Sequence, residues 1–188
     1  MKNNLSELMC LDIYSSSLSI EEYDKIKFQI KPSKSKYMSL LSWDIFSENY
    51  FKTLENLKIE RDIKMVKSFA EKSKWKNKID ILFNNQDFDA LIITDADQKI
   101  VWVNDGFTQM TGYTKTFAIN KKPHFLQGID TSQKTKKRIR EKLKDLKPFT
   151  EIIINYRKDN TPYKCEVKII PMYSDNVTHY LAIEKKVG

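Results

Sequence analysis

His124, His179, Cys10 and Cys165 are the side chains of this 188-residue chain best suited to nucleophilic, redox or metal chemistry. Such chemistry needs partners at fixed spacing: a base beside a nucleophile, or ligand pairs a few residues apart. Neither histidine sits in such a motif, and two cysteines so far apart do not make a disulfide-stapled scaffold. With four glycines in all, there is no glycine-rich loop to cradle a phosphate. Acidic residues are plentiful but carry no catalytic spacing. The chain is not expected to be an enzyme.

Charge is the second chemical feature. The net charge of +8 is concentrated between Thr114 and Pro148, where eleven Lys or Arg face three acids. The simplest reading is a solvated helix surface. A local site for a phosphate or an acidic partner is the next. The run is mostly lysine, without the interleaved aromatics of a base-stacking groove and without zinc-finger spacing, so nucleic acid is not expected as a partner. No apolar run reaches membrane-spanning length, and the N-terminus lacks the pattern of a secretory signal. The expected location is cytoplasmic, with no membrane association.

The elements that position these groups fall into two regions, 1–85 and 86–188. The first is helical. Ser19 followed by Glu21 and Glu22 opens a short helix, and Lys31 to Ser35 breaks it. Leu40, Trp43, Phe46, Tyr50, Leu54 and Leu57 predict a second helix over 39–57. Ile59, Ile63, Val66, Ala70, Ile79 and Leu82 predict a third over 58–83. Helices of this length need a surface to cover, either the chain's own domain or a second subunit. The expected assembly is a homodimer through these helices, the open sheet face, or both.

From Phe88 the pattern becomes short strands. Residues 90–94 and 100–104 read as a hairpin turning at Asp95 to Gln98. A short helix containing Phe107 ends at Gly112, a C-cap candidate. A basic helix covers 131–147 and stops at Pro148. Strands follow at 149–157, 162–172 and 177–184, with turns at Lys158 to Asn160 and Ser174 to Asn176. Strand, strand, helices, strand, strand, strand implies an α+β domain: a five-stranded antiparallel sheet with flanking helices, preceded by an N-terminal helical extension.

That order, with Ala90 to Asp95, Ile100 to Asn104, Thr111-Gly112-Tyr113 and Ile170-Pro171, resembles a PAS domain over roughly residues 85–185. Phe125-Leu126-Gln127-Gly128 and Asn155-Tyr156-Arg157-Lys158-Asp159 resemble the LOV branch, the flavin-binding blue-light sensors. The resemblance implies that Gln127 lies near a flavin ring, that Asn155 bonds its pyrimidine side, and that Arg140 meets its phosphate. It also implies departures. Pro123 stands where the family has its photoreactive cysteine. Lys122 replaces a ribityl-binding asparagine, and His124 a phosphate-binding arginine. Cys165 replaces a second ring-binding asparagine. Glu184 replaces the signalling glutamine, and Ala182 stands where a small glycine is common. An anionic ligand would meet Arg140 with Lys122 or His124.

Proline has no thiol, so the cysteinyl-flavin photocycle is not expected. The cofactor is left open between none and non-covalent FMN or FAD. The expected function is a sensory or regulatory module in signal transduction that acts on an unidentified partner protein and takes a small molecule in its cavity. The alternative is a ligand-free interaction or dimerisation module whose cavity is filled by side chains. The sequence stops at Gly188, just past the last strand, so output is expected through the N-terminal helices or the sheet surface.

Overall fold

A computed structural model describes residues 14–15, 17–30, 43–84 and 87–187, and the chain falls into two compact units, 1–58 and 59–188. In the first unit α1 (Ile20–Ile26) begins on a reciprocal capping box. The Ser19 hydroxyl accepts from the Glu22 amide, and the Glu22 carboxylate accepts from the Ser19 amide at 3.0 Å. The expected helix start at residues 39–42 lies outside the described residues.

The predicted pair of helices is instead one helix, α2 (Trp43–Lys72), followed by a turn and the short α3 (Ile79–Phe83). The join expected near Leu57 is absent because nothing there can break a helix: residues 43–72 contain neither glycine nor proline. The end at Lys72 has a tertiary cause. Lys74 takes a left-handed φ of 53°, and Trp75 turns into the sheet, its indole N–H donating to Thr178 Oγ1 at 3.1 Å. Two residues on, the Asn77 side chain donates to the Pro171 carbonyl and accepts from the Tyr173 amide at 2.9 Å. A helix continued through these positions would forfeit those bonds.

The sheet contains β1 (Ala90–Asp95), β2 (Ile100–Val103), β3 (Phe149–Tyr156), β4 (Pro162–Tyr173) and β5 (Val177–Lys186) in the order β2-β1-β5-β4-β3, all neighbours antiparallel. Between the second and third strands lie α4 (Asp105–Thr111), α5 (Lys115–Ala118), a 3-10 turn at Pro123–Leu126, and α6 (Gln133–Lys144). This is the expected five-stranded antiparallel sheet with flanking helices.

Side chains alternate across the sheet. Ala90, Ile92, Ile153, Cys165 and Val167 face a core closed by Phe107, Met110, Ala118 and Leu126 from the inserted helical segments. Leu91, Ile93, Ile170, Met172, Leu181 and Ile183 face the other way and are covered by Val66 of α2, Trp75 and Ile79. The segment from Val66 to Phe83 is thus what seals the second face.

Asn104 ties these layers together. Its side-chain oxygen accepts from the amides of Leu91 and Phe107, each at 3.0 Å, so it caps α4 and holds β1 at once. Its amide nitrogen donates to buried Asp62 of α2 at 2.8 Å. The far end of α4 is closed by Gly112 at φ 75°, as its position in the sequence predicts. Gly106 is required for a different reason, since any Cβ there would collide with the carbonyl of Asp89.

Candidate functional site

Between the sheet and α6 lies a cavity of about 140 Å³. Helical spacing brings Lys136, Ile139, Arg140 and Leu143 to one side of α6, so that side offers two apolar and two cationic chains to the same space. The sheet supplies Ile92 and Thr94 of β1, Ile153 and Asn155 of β3, Val167 and Ile169 of β4, and Tyr180, Ala182 and Glu184 of β5. The 3-10 turn adds Pro123, His124, Leu126 and Gln127. This turn is held to the sheet through Thr131, whose hydroxyl donates to the Ile154 carbonyl at 2.6 Å and accepts from the Gly128 amide at 2.9 Å.

Four of the five candidate residues, Gln127, Asn155, Arg140 and His124, therefore line one cavity. Lys122 does not. It precedes the 3-10 turn in extended conformation, with its side chain exposed. Its charge still reaches His124, whose pKa is lowered first by burial and then by Arg140, Lys122 and Lys136. His124 is thus held neutral around pH 7 at a cationic mouth. Lys136, missed in the sequence, belongs to this mouth, and its spacing from Ile139 and Arg140 was the available signal.

Buried polar groups gather at the inner end. Asn155 and Tyr163 are directly opposed between β3 and β4, and both are buried. Asn155 lies beside the Tyr163 hydroxyl, yet that hydroxyl reaches no partner at hydrogen-bonding geometry among the described residues. Glu184, opposite Val167 on β5, is 4% exposed. One of its oxygens, Oε2, is buried without a partner. Burial raises the Glu184 pKa to about 7, opposed by the nearby Cys165 thiol, whose hydrogen bond in the structure goes to the Glu166 carbonyl at 3.7 Å. Burial, and then the nearby Glu184, push the Cys165 thiol up, so Cys165 is a buried neutral thiol, as its place on an alternating strand suggests. Tyr163 is pushed up for the same two reasons. Among the described residues no three His, Cys, Asp or Glu gather as a metal site, and no helix is long and apolar enough to cross a membrane.

Residues 89–185 match the PAS domain family. The chain is a member of the PAS family. Within this PAS domain the likeness is to LOV photoreceptors. A blue-light photoreceptor of Listeria innocua is 41% identical over 101 residues, 52% of this chain and 40% of that protein. Phototropin-2 of Oryza sativa is 33% identical over 102 residues, 52% of this chain and 11% of that protein. The matches thus span two fifths or less of these curated relatives. Among solved structures, one described as "Flavin Analogue Sheds Light on Light-Oxygen-Voltage Domain Mechanism" superposes with a TM-score of 0.53 at 28% identity, covering 58% of this chain and 84% of that one. The LOV domain of the Erythrobacter litoralis EL346 blue-light activated histidine kinase gives 0.51 at 26% identity, covering 55% of this chain and 99% of that one. The resemblance read from Phe125 to Gly128 and Asn155 to Asp159 is borne out at this level.

Proposed function

We propose that this PAS domain is a non-enzymatic, ligand-responsive sensory module that does not run the cysteinyl-flavin photocycle of its LOV relatives. The observation that carries this reading is Pro123 in the cavity wall, where the family resemblance calls for a thiol. A thioadduct needs a sulfur on that wall, and the Cys165 thiol is buried and held protonated beside Glu184.

The fit of a flavin supports the same reading. Gln127 and Asn155 could serve the mixed donor–acceptor edge of an isoalloxazine. The space, however, is close to the ~150 Å³ of an apolar protein cavity that takes a single benzene ring, not three fused rings. At the inner end the cavity offers a buried carboxyl with one uncommitted oxygen. Ligand-responsive rather than side-chain-filled use is supported by the cavity itself and by the unpartnered Glu184 oxygen on it, because a sealed interaction module has no need of an orphaned polar atom in its core.

The purified chain, loaded with FMN and irradiated with blue light, is expected to show no reversible bleaching of the flavin band. A light-dependent, flavin-mass adduct on the denatured protein would overturn the reading.

Output is proposed to leave through α2 to a second copy of the chain and a signalling partner. Phe51 and Leu57 of α2 are exposed, at 65% and 54%. Light scattering at micromolar concentration is expected to return twice 22.3 kDa. A monomer mass would remove the dimer.

A further inference from the structure

The two ends of the cavity differ in chemistry, and the difference specifies a ligand. At the inner end Glu184 is 4% exposed, lines the space, and has an oxygen with no partner. A buried polar atom without a partner is costly, and a ligand group that satisfies it recovers that cost. At the mouth are Lys136, Arg140 and His124. Neither Lys136 nor Arg140 forms an ion pair among the described residues, whereas neighbouring Arg138 and Lys142 of α6 both bind Glu151. Between the two ends the wall is apolar, with Ile92, Ile153 and Val167 on one side and Ile139 on the other.

Resting on the ligand-responsive reading above, we propose that the cavity takes a single-ring anion with a hydrogen-bond acceptor opposite its charge. The ring lies among the apolar side chains. Glu184, as the uncharged acid, donates to the acceptor. Lys136 and Arg140 hold the anionic end at the mouth.

The alternative at the inner end is a cationic ligand paired with an ionised Glu184. The cationic mouth opposes it, because an ammonium group would have to pass Lys136 and Arg140 to reach the carboxyl. Burial favours the uncharged acid as well. A neutral carboxyl has one O–H to give, and an acceptor is the complement of a donor. The volume limits the ring count: a cavity of about this size takes one benzene ring.

Three probes of one size separate the possibilities by calorimetry on the full chain at pH 6, where Glu184 holds its proton and isonicotinate keeps a free ring nitrogen. Isonicotinate carries a ring nitrogen acceptor opposite its carboxylate, benzoate has the carboxylate alone, and benzylamine is a cation. FMN is run beside them. Isonicotinate is expected to bind about tenfold more tightly than benzoate, the effect of one buried hydrogen bond. Benzylamine is expected not to bind. In Glu184→Leu the preference for isonicotinate over benzoate is expected to vanish. In Glu184→Gln, which keeps a donor, it is expected to survive, and Arg140→Ala is expected to weaken both acids.

Binding of benzylamine, or an isonicotinate preference that persists in Glu184→Leu, would overturn the assignment while leaving ligand sensing intact. Tight FMN binding would do the same. Silence from all four probes, with no small molecule released from the freshly purified protein, would overturn both the assignment and the reading beneath it.

Discussion

Asn104→Ala is expected to cost about 4 kcal/mol of stability, a large share of what holds a domain of this size together. The alanine leaves three groups in low-dielectric surroundings without their partner. The Phe107 amide loses the cap of α4, which alone costs about 1 kcal/mol. The Leu91 amide loses the side chain that satisfies it at the boundary of β1 and β2. The Asp62 carboxylate, 7% exposed, loses its donor. Each such orphan costs about 1–3 kcal/mol. Asp62→Ala removes one of the three bonds and is expected to cost about 1 kcal/mol. The double variant is expected to fall short of the sum, since the two residues share a bond. Urea denaturation followed by tryptophan fluorescence reads all three. A loss under about 1 kcal/mol for Asn104→Ala would show that the geometry overstates this hub.

Asn104 also marks where the sequence stops being legible. Expected as the last residue of the strand over 100–104, it is instead the cap of the helix that follows. Its third bond depends on Asp62, forty-two positions earlier on a helix crowded with lysine and glutamate. There a carboxylate looks like one more solvated charge, because burial of a helix face is decided by what packs on it. The same limit explains α2. Its apolar positions drift out of phase near Leu57, which suggests two helices, but with no glycine or proline the backbone continues. It then ends where Trp75 and Asn77 find partners on β4 and β5, contacts that local spacing does not encode.

The sheet is readable because its signals are local. Gly112 is the left-handed cap its position suggests, and the alternation over residues 163–168 of β4 assigns its two faces. In the candidate site, Gln127, Asn155, Arg140 and His124 line one cavity, and Lys136 joins them through its helical spacing from Ile139 and Arg140. Its match to the family's ribityl-binding asparagine makes Lys122 a candidate. The extended backbone before the 3-10 turn instead leaves its side chain exposed.

Glu184 carries the prediction with the largest dependence on conditions. Its pKa is raised by burial to about 7 in the folded chain, against about 4.3 for a free glutamate. Between these values the folded state binds more protons than the unfolded state, so stability falls as pH rises. The contribution is intact below about pH 4.3 and is lost once pH passes about 7, where folding must bury a carboxylate with one unpartnered oxygen. The difference between the two pKa values corresponds to a loss of about 4 kcal/mol. Glu184→Gln has no proton to lose. It is therefore expected to match the wild type near pH 4.3 and to exceed it by about 4 kcal/mol at pH 8, a gain of roughly 10 °C in melting temperature. His124 and His179 titrate in the same range with the opposite sign, since burial lowers both, and folding then favours their neutral forms as pH rises. The difference between the two proteins removes that contribution, because both retain these histidines. Melting curves at half-unit steps from pH 4 to 8 test it. A difference that stays flat with pH would mean that Glu184 titrates normally in the folded chain, and that its carboxyl is ionised, not protonated, when the cavity meets its ligand at pH 6.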